Sequence, residues 1–439
     1  MNREILIGKI ADGGFDGAFG TLYGSTAPVI ERQRKRYIKA IENFAERYPE
    51  REEVRLFSAP GRSEIGGNHT DHQHGCALAA AVDLDVIAVV AFHDDGVIRL
   101  KSEGHGEDEA DLSDLSVHED EKGRSVSMIR GIAARFADMG VRIGGFDAYT
   151  TSDVLSGSGL SSSAAFETLI GTIIDTEYNG GNAGSVEIAK IGQYAENVYF
   201  GKGSGLLDQT VCSVGGFVFI DFLDTESPVV KKYDFDFEKA GYSLCVTDTK
   251  GSHSDLTDDY VAVPSEMKAV AAEFGKDYLR EVDENEFFSS IPDLRGKCSD
   301  RAIMRAIHYF KENRRAIDEA QAMRWQRVRQ DLALSTIIFR TVVGRTKHQW
   351  LLVCGLWFDI FLSHLAVCST GAHAPGSALL TTVSGFNKWK NKNRKWTHPP
   401  SRTPGSERIH WHGDGTLSLA SFSIAHWKWP HVPLSPTPG

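Results

Sequence analysis

A loop rich in glycine and serine runs into an apolar, alanine-rich segment in the stretch LSGSGLSSSAAF. Gly157 and Gly159 allow the backbone to approach a ligand closely. Ser161, Ser162 and Ser163 follow at the start of a predicted helix, where the first N–H groups have no intrahelical partner. The helix dipole favours an anion there, and serine hydroxyls can also coordinate Mg²⁺. The stretch therefore predicts a phosphate site, with a helix merely capped by serine as the plain alternative.

A second polar cluster, GRSEIGGNHTDHQH, begins with Gly61 and Arg62. Zinc could be held by three of the side chains His69, Asp71, His72 and His74, so a zinc-dependent hydrolase is an alternative function. Such a site needs further ligands from later in the chain, and the sequence has no second cluster of comparable density. A polar loop after a Pro-Gly turn is the non-functional alternative.

A third motif, GSGLLDQ, places Asp208 as a lone carboxylate among apolar residues. Burial would raise its pKa and a nearby arginine would lower it, which is the tuning that a general base requires. An aspartate that caps a turn is the alternative. The three polar loops together suggest phosphoryl transfer to a hydroxyl, although the sequence has neither a Walker P-loop nor the HRD and DFG motifs of protein kinases.

Hydrophobic periodicity predicts the elements that position these motifs, and the irregular mixture of strands and helices indicates an α+β fold. A strand beginning at Val54 is expected to break at Pro60 and Gly61, and an acid-rich loop at 105–122 is expected to face solvent. Predicted helices cover 28–48, 126–140, the segments after 161 and 184, and 299–323, the last capped by Ser299. Predicted strands cover 82–92, 98–104, 146–155, 215–222 and the part after 241.

The chain has 439 residues and a net charge of −11, which argues against nucleic acid or an anionic membrane as a general partner. Six cysteines are scattered without CxxC spacing, so neither a disulfide framework nor a zinc ribbon is indicated. The stretch MNREILIGKIADGG lacks the pattern of a secretory signal, and we expect a cytoplasmic protein. Residues 351–367 are apolar, but Asp359 and His364 argue against a membrane span.

The composition changes abruptly near residue 324. All eight tryptophans lie at or beyond Trp325, with eight of the 14 prolines and eight of the 16 histidines. Residues 325–439 carry 13 Lys and Arg against four Asp and Glu, whereas 1–324 carry 35 against 55. A frameshift near codon 324 explains this change more simply than a basic arm for nucleic acid does.

Four motifs resemble those of the galactokinase family of GHMP small-molecule kinases. APGRSEIGGNHTDHQHG resembles the galactokinase signature, and SGLSSSAAFE resembles the phosphate-binding motif. AENVYFGKGSGLLDQ is similar to the segment that ends in the catalytic aspartate, and HSDLTDDY resembles the His-Ser-Leu-Ala-Ser-Ser-Glu-Tyr motif. The resemblance runs from about residue 20 to 323. It implies a two-domain GHMP kinase fold with an incomplete C-terminal domain: an N-terminal domain at 1–230, the start of the second at 231–324, and an aberrant, disordered or poorly packed tail at 325–439.

The resemblance also implies roles for individual residues in a reaction between ATP and galactose. Asp208 would accept or orient the proton of the galactose C1 hydroxyl, and Arg62 would keep Asp208 ionised and stabilise the transferring phosphoryl group. The sugar would contact Asn68, His69, Asp71, Gly205 and Tyr260. The ATP phosphates would contact Gly157, Gly159, Ser161, Ser162 and Ser163, and Mg²⁺ would bind Ser162 and Glu196.

The sequence departs from the family pattern at three points. Asn68 stands where the family has glutamate and His72 where it has tyrosine, from which we expect altered sugar affinity rather than lost function. The family's third motif, a Gly-Gly-Gly-Phe loop that closes over the active site, is absent, so an impaired enzyme is expected. A non-catalytic galactose and ATP sensor on the same scaffold is the alternative, but the intact run from Ser161 to Ala164 favours the enzyme.

Overall fold

The structure is a computed structural model. It describes residues 1–154, 159–235 and 262–324 in full, and the backbone at 244–248, 257–261 and in five short strands between 342 and 422. The described helices are α1 (Arg3–Ala11), α2 (Asp16–Tyr23), α3 (Ala27–Arg47), α4 (Ser125–Asp138), α5 (Ser162–Tyr178), α6 (Ser185–Tyr194), α7 (Leu207–Val214), α8 (Thr257–Ala272), α9 (Glu284–Leu294) and α10 (Asp300–Arg324).

The described strands form a mixed, mostly antiparallel set. They are β1 (Arg55–Gly66), β2 (Cys76–Phe92), β3 (Val97–Ser102), β4 (Glu107–Asp111), β5 (Phe146–Ser152), β6 (Phe217–Asp221), β7 (Val229–Tyr233), β8 (Leu244–Asp248), β9 (Val342–Thr346), β10 (Gln349–Val353), β11 (Leu379–Thr382), β12 (Glu407–His410) and β13 (Thr416–Phe422). A seven-stranded sheet has the order β4-β3-β5-β2-β6-β7, with β1 also paired to β2. β8 lies between β11 and β13 in a four-stranded sheet, and β9 pairs with β10. Helices with a largely antiparallel sheet confirm the predicted α+β class.

β2 is the centre of the large sheet because its 17 residues are almost continuously apolar and buried. β1 pairs with it antiparallel, from Arg55 opposite Val90 to Gly66 opposite Leu78. Its other edge pairs with β5 in the later half and with β6 in the earlier half. The hairpin of β1 and β2 therefore carries residues 67–75 at its end, a segment called the tip loop below.

Helices cover both faces of this sheet. Val86 and Ala88 of β2 pack against residues of α4, α5 and α6, whereas Ile87 and Val89 pack against α1, α2 and α3. α10 packs on the tip-loop half of the hairpin, where its Ala316 contacts the apolar side chains near the start of β2. The small alanines of β2 allow these helices to approach closely.

Two predictions about the backbone are wrong. β1 does not break at Pro60 and Gly61 but continues to Gly66, because a register shift between Pro60 and Arg62 accommodates the proline. Gly61 is also required there, since an added Cβ would lie 2.7 Å from the Leu160 carbonyl. The hairpin can therefore extend far enough to carry Arg62.

The acid-rich segment 105–122 is not simply a solvent-facing loop. It contains β4, which pairs with β3, and its Glu121 is buried. Glu121 accepts hydrogen bonds of 2.8 and 2.7 Å from the buried guanidinium of Arg130 on α4. Periodicity could not show this pair because its two members come from different elements.

The remaining predicted helices and strands are found within a few residues of their expected limits. The helix predicted at 28–48 is α3, and the one predicted at 299–323 is α10. The Ala302 N–H donates to Ser299 Oγ at 3.1 Å, which confirms the predicted cap. Five helices were not predicted: α1, α2, α7, α8 and α9. Among the described residues no helix is both long and apolar enough to cross a membrane, and residues 354–367 lie outside them.

A buried polar network ties the N-terminal helices to the sheet. Asp85 of β2 accepts hydrogen bonds from the Tyr23 hydroxyl and from Arg36 Nη1, both at 2.5 Å. Arg36 Nη1 also lies 3.3 Å from the carboxylate of Asp153, whose N–H donates to the Asp85 carbonyl at 2.9 Å. Asp153 follows β5 directly, so this network fixes the chain just before the glycine- and serine-rich loop.

We expect Asp85→Ala to destabilise the protein by about 3–5 kcal/mol, because Arg36 would be left as a buried charge without its main partner. The control is Asp16→Ala, which breaks the partly exposed pair between Asp16 and Arg34 and should cost about 1 kcal/mol or less. The measurement is urea unfolding of each variant. Equal losses for the two variants would contradict the central role of Asp85.

Candidate active site

Arg62 and Asp208 form an ion pair on adjacent elements. Arg62 lies on β1 opposite Ala81, and Asp208 is the second residue of α7. The Nε and Nη2 atoms of Arg62 lie 2.8 and 2.6 Å from Asp208 Oδ1. Burial alone lowers the pKa of the Arg62 guanidinium, but the Asp208 carboxylate raises it, and the net pKa lies above its ordinary value. Arg62 is therefore a permanent cation beside Asp208.

The loop before α5 reaches the same pair. Ser161 Oγ donates to Asp208 Oδ2, and Ser161 has a left-handed backbone with φ of 58°. The Ser161 side chain makes no capping bond to α5, so the alternative of a simple serine cap is wrong for this residue. Arg62 donates from Nη1 to the Gly159 carbonyl at 2.7 Å and from its N–H to the Leu160 carbonyl at 3.0 Å. The loop, the cation and the carboxylate form one connected unit.

Ser162 and Ser163 are the first two residues of α5. Backbone N–H groups at this end of a helix have no partner in the helical ladder, and the dipole of α5 gives the end partial positive charge. Because Ser161 places this end beside Arg62 and Asp208, the predicted phosphate site and the predicted base adjoin each other. Gly157 lies outside the described residues.

The tip loop meets the segment before α7. A side chain on Gly205 would collide with the Asp71 carboxylate, so Gly205 has to be glycine for this approach. Burial alone raises the pKa of Asp71, but its hydrogen bond with His72 and nearby positive charge lower it, and the net pKa is below its ordinary value. Asp71 is therefore an ionised acceptor at the base of the loop.

Of the other predicted sugar residues, Asn68 is half-buried and His69 is exposed, and both lie in the tip loop. His69 has a φ of 56°, which is uncommon for a residue with a side chain. Tyr260 lies on α8, and its side chain is outside the described residues. The structure thus brings Asp71 and Gly205 together and places Asn68 and His69 on the same short loop.

Among the described residues, no three His, Cys, Asp or Glu side chains converge on a possible metal position. His74 instead stacks on Tyr278 with ring centroids 3.8 Å apart, and the rings of His69 and His72 lie 6.4 Å apart. Zinc requires ligand atoms within about 2.0–2.3 Å of one ion. The tip loop therefore gives no support to a zinc-dependent hydrolase.

Glu196 lies in a π-helical turn at 195–200 that follows α6. Its buried carboxylate is 2.6 Å from Lys202 Nζ and accepts a hydrogen bond of 2.9 Å from Gln209 Nε2. Gln209 Nε2 also donates to Glu167 Oε2 at 3.0 Å. Two carboxylates therefore share one amide donor, and that donor is the residue next to Asp208.

Glu167 is the candidate that the sequence analysis missed. Its side chain is fully buried on α5, and its Oε1 has no hydrogen-bond partner among the described residues. Burial and the charge of Glu196 raise the pKa of Glu167 well above its ordinary value of 4.5. The signal in the sequence is a carboxylate within the largely apolar first half of the helix, four residues after Ser163.

Comparisons with known proteins agree with this arrangement. A family model described as the galactokinase galactose-binding signature matches residues 42–92, and one described as the GHMP kinases N terminal domain matches residues 127–216. The galactokinase of Streptomyces coelicolor is 31% identical over 271 residues, which are 61% of this chain and 68% of that relative. The chain belongs to the galactokinase family. It is therefore an ATP-dependent sugar kinase of the GHMP class.

Further comparisons support the same family and fold. The galactokinase of Lactobacillus helveticus is 31% identical over 277 residues, covering 61% of this chain and 70% of that relative. The crystal structure of Lactococcus lactis galactokinase complexed with galactose superposes with a TM-score of 0.63 at 20% identity, covering 88% of this chain and 97% of that one. The likeness of the two structures shows that they share the GHMP kinase fold.

We expect Glu167→Gln to stabilise the protein increasingly as the pH rises. The folded state holds the Glu167 proton more tightly than the unfolded chain does, so the stability that Glu167 contributes is fully present below the ordinary pKa of 4.5 and is lost as the pH rises toward the raised pKa. Glutamine cannot ionise, so the variant does not lose this stability as the pH rises.

Urea unfolding at about pH 5 and about pH 8 measures the difference, because the stability lost through Glu167 grows as the pH rises above its ordinary pKa. Glu42→Gln on the exposed side of α3 is the control and should show no such trend. A stability difference for Glu167→Gln that is the same at both pH values would contradict the raised pKa.

Proposed function

We propose that this chain transfers the γ-phosphoryl group of ATP to the C1 hydroxyl of galactose, giving galactose 1-phosphate and ADP. The observation that carries the proposal is the Arg62–Asp208 pair, which is hydrogen-bonded to the loop before α5 and whose Arg62 lies on the hairpin that carries the tip loop. Membership of the galactokinase family and the match to its galactose-binding signature support galactose as the sugar.

Asp208 is the catalytic base in this proposal. Its two oxygens have different partners, Arg62 on Oδ1 and Ser161 on Oδ2, so the carboxylate plane is fixed while 35% of its side chain remains exposed. The proton of the C1 hydroxyl passes to Asp208 as the C1 oxygen bonds to the γ-phosphorus, and the bond to ADP breaks. Arg62 holds the carboxylate and offsets the negative charge of the transferring group, since this chemistry depends mainly on positioning and electrostatics.

The phosphates of ATP are proposed to bind at the start of α5, where Ser161, Ser162 and Ser163 present hydroxyls and the helix presents N–H groups. Mg²⁺ would be held by Ser162 and Glu196, whose hydroxyl and carboxylate oxygens are ligands of the kind it prefers. The fit is supported by the buried Oε1 of Glu167, which has no hydrogen-bond partner among the described residues, and by the negative charge of Glu196 beside it, which a bound cation would offset. Bound Mg²⁺ supplies charge neutralisation to the phosphates.

The sugar is proposed to bind at the tip loop and the segment before α7. Asp71 is an ionised acceptor that can bind two adjacent sugar hydroxyls, and Gly205 leaves room for it. Asn68 offers an amide where the family has a carboxylate, which retains hydrogen bonding but removes a charge. His69 and Tyr260 complete the proposed contacts, and we propose weaker sugar binding than in relatives that have glutamate at the Asn68 position.

We expect Asp208→Asn to lower kcat about 10²- to 10⁴-fold, because the amide cannot accept the hydroxyl proton. Galactose binding should change little, since Asp208 acts mainly on the transferring proton. The measurement is transfer of labelled γ-phosphate from ATP to galactose, with binding measured separately by calorimetry. Asp224→Asn, in an exposed loop, is the matched control. An unchanged kcat in Asp208→Asn would remove Asp208 from the mechanism.

We also expect turnover by this chain to be well below that of the Streptomyces coelicolor relative, because the closing Gly-Gly-Gly-Phe motif is absent. The comparison measures both proteins in one assay, beside a chimera in which residues 325–439 are replaced by the relative's own segment. Recovery of activity in the chimera would support the frameshift near codon 324. Galactose and ATP binding without turnover in the chimera would instead support the non-catalytic sensor.

A further inference from the structure

α10 binds the backbone of the tip loop through two polar side chains. Glu312 Oε2 accepts hydrogen bonds from the Gly67 N–H at 3.2 Å and from the Asn68 N–H at 3.4 Å. His308 Nε2 lies 2.9 Å from the Asn68 carbonyl, so Nε2 carries the proton and donates it. The N–H and the carbonyl of Asn68 are therefore both bound by α10, whose two residues lie about 240 positions further along the chain.

The spacing of the two side chains matches their task. His308 and Glu312 are four residues apart, and in a helix this places them on the same face. Glu312 is only 1% exposed, and its other oxygen is paired with Arg315. A buried carboxylate that accepts two N–H groups makes charge-assisted hydrogen bonds, which are stronger than neutral ones.

The loop backbone is shaped to fit this face. Gly67 has a φ of +81°, and a side chain there would collide with the Cys76 carbonyl and would lie 3.1 Å from the Ala316 methyl. One turn along α10, Glu319 lies so close to Gly66 that a side chain on Gly66 would collide with its carboxylate. The loop therefore packs directly against α10, with no room for a side chain at Gly67 and none at Gly66 unless the Glu319 carboxylate moves.

Hydrogen bonds within the tip loop link the Gly67 backbone to the proposed sugar residue Asp71. The Thr70 hydroxyl lies 2.8 Å from the Gly67 carbonyl and 2.7 Å from the Cys76 carbonyl, and the Gly75 N–H donates to the Thr70 carbonyl at 2.9 Å. The His74 N–H likewise donates to the Asp71 carbonyl at 3.0 Å. A loop closed in this way moves as a unit, so the position of Asp71 depends on how Gly67 is held.

We propose that His308 and Glu312 are positioning residues for the sugar. They hold the tip loop in the form that presents Asn68 and Asp71, so galactose affinity depends on the docking of α10. The identity of the sugar rests on the proposed function, whereas the contact between α10 and the loop does not. Binding of ATP, which is assigned to the start of α5, should be independent of this contact.

The test compares Glu312→Ala and Glu312→Gln with Asp318→Ala, an exposed acid on the same helix. Hydrogen–deuterium exchange should accelerate in peptides that contain Gly67 and Asn68 in Glu312→Ala, and stay unchanged in the centre of β2. Calorimetry should show galactose binding weakened about tenfold, the effect of losing hydrogen bonds to a charged group, with ATP binding unchanged. Glu312→Gln keeps one carbonyl acceptor and the side-chain shape, so it should show a smaller loss and also serves if Glu312→Ala fails to fold.

Each possible outcome tests one part of the proposal. Unchanged exchange at Gly67 and Asn68 in both Glu312 variants would overturn the contact itself. Faster exchange with unchanged galactose affinity would overturn the positioning role, and equal losses of galactose and ATP binding would indicate a general structural defect instead. A wild-type chain that binds ATP but no galactose would contradict the proposed function, while the exchange data would still decide whether α10 holds the loop.

Discussion

The long antiparallel pairing of β1 with β2 is the constraint on which the rest of the structure depends. β2 is buried on both faces, so its place in the centre of the sheet is fixed by the apolar surface that it removes from water. The hairpin places Arg62 in its middle and the tip loop at its end. α5 and α7 pack on one side of it and α10 on the other. The proposed sites for the sugar and for the phosphates therefore both adjoin the β1–β2 hairpin, and the helices packed on it complete them.

Charge in the site is arranged around carboxylates with unequal partners. Asp208 has the permanent cation of Arg62, and Asp71 has its hydrogen bond with His72, whereas Glu167 has only a shared amide and the repulsion of Glu196. The surroundings thus lower the pKa of Asp71 and raise that of Glu167, although both groups are carboxyls. This contrast fits a site in which one carboxylate accepts a proton and another region binds a cation.

The contact between α10 and the tip loop joins distant parts of the chain. Glu312 and His308 satisfy backbone groups of a loop that has no regular partner strand, which is how irregular backbone is kept in one form. The loop gains rigidity that its own sequence cannot supply, since Gly66 and Gly67 are both conformationally permissive. In the proposed positioning role, sugar recognition draws on residues of α10 that bind the backbone of Asn68 and need not touch the sugar themselves.

Much of this protein is determined by the sequence alone. Periodic apolar residues predict α3, α10 and the later half of β2, because local patterns reflect which face of an element is buried. The resemblance of the spaced motifs to the galactokinase family names Arg62 and Asp208. Only the tertiary structure decided that β1 passes through Pro60, that Glu121 is paired with Arg130, and that Ser161 bonds to Asp208 instead of capping its helix. It alone revealed that Glu167 shares the Gln209 amide with Glu196 and that Glu312 binds the backbone of the tip loop. Their partners lie on other elements, and one sequence carries no record of which distant side chains will share a buried, low-dielectric space.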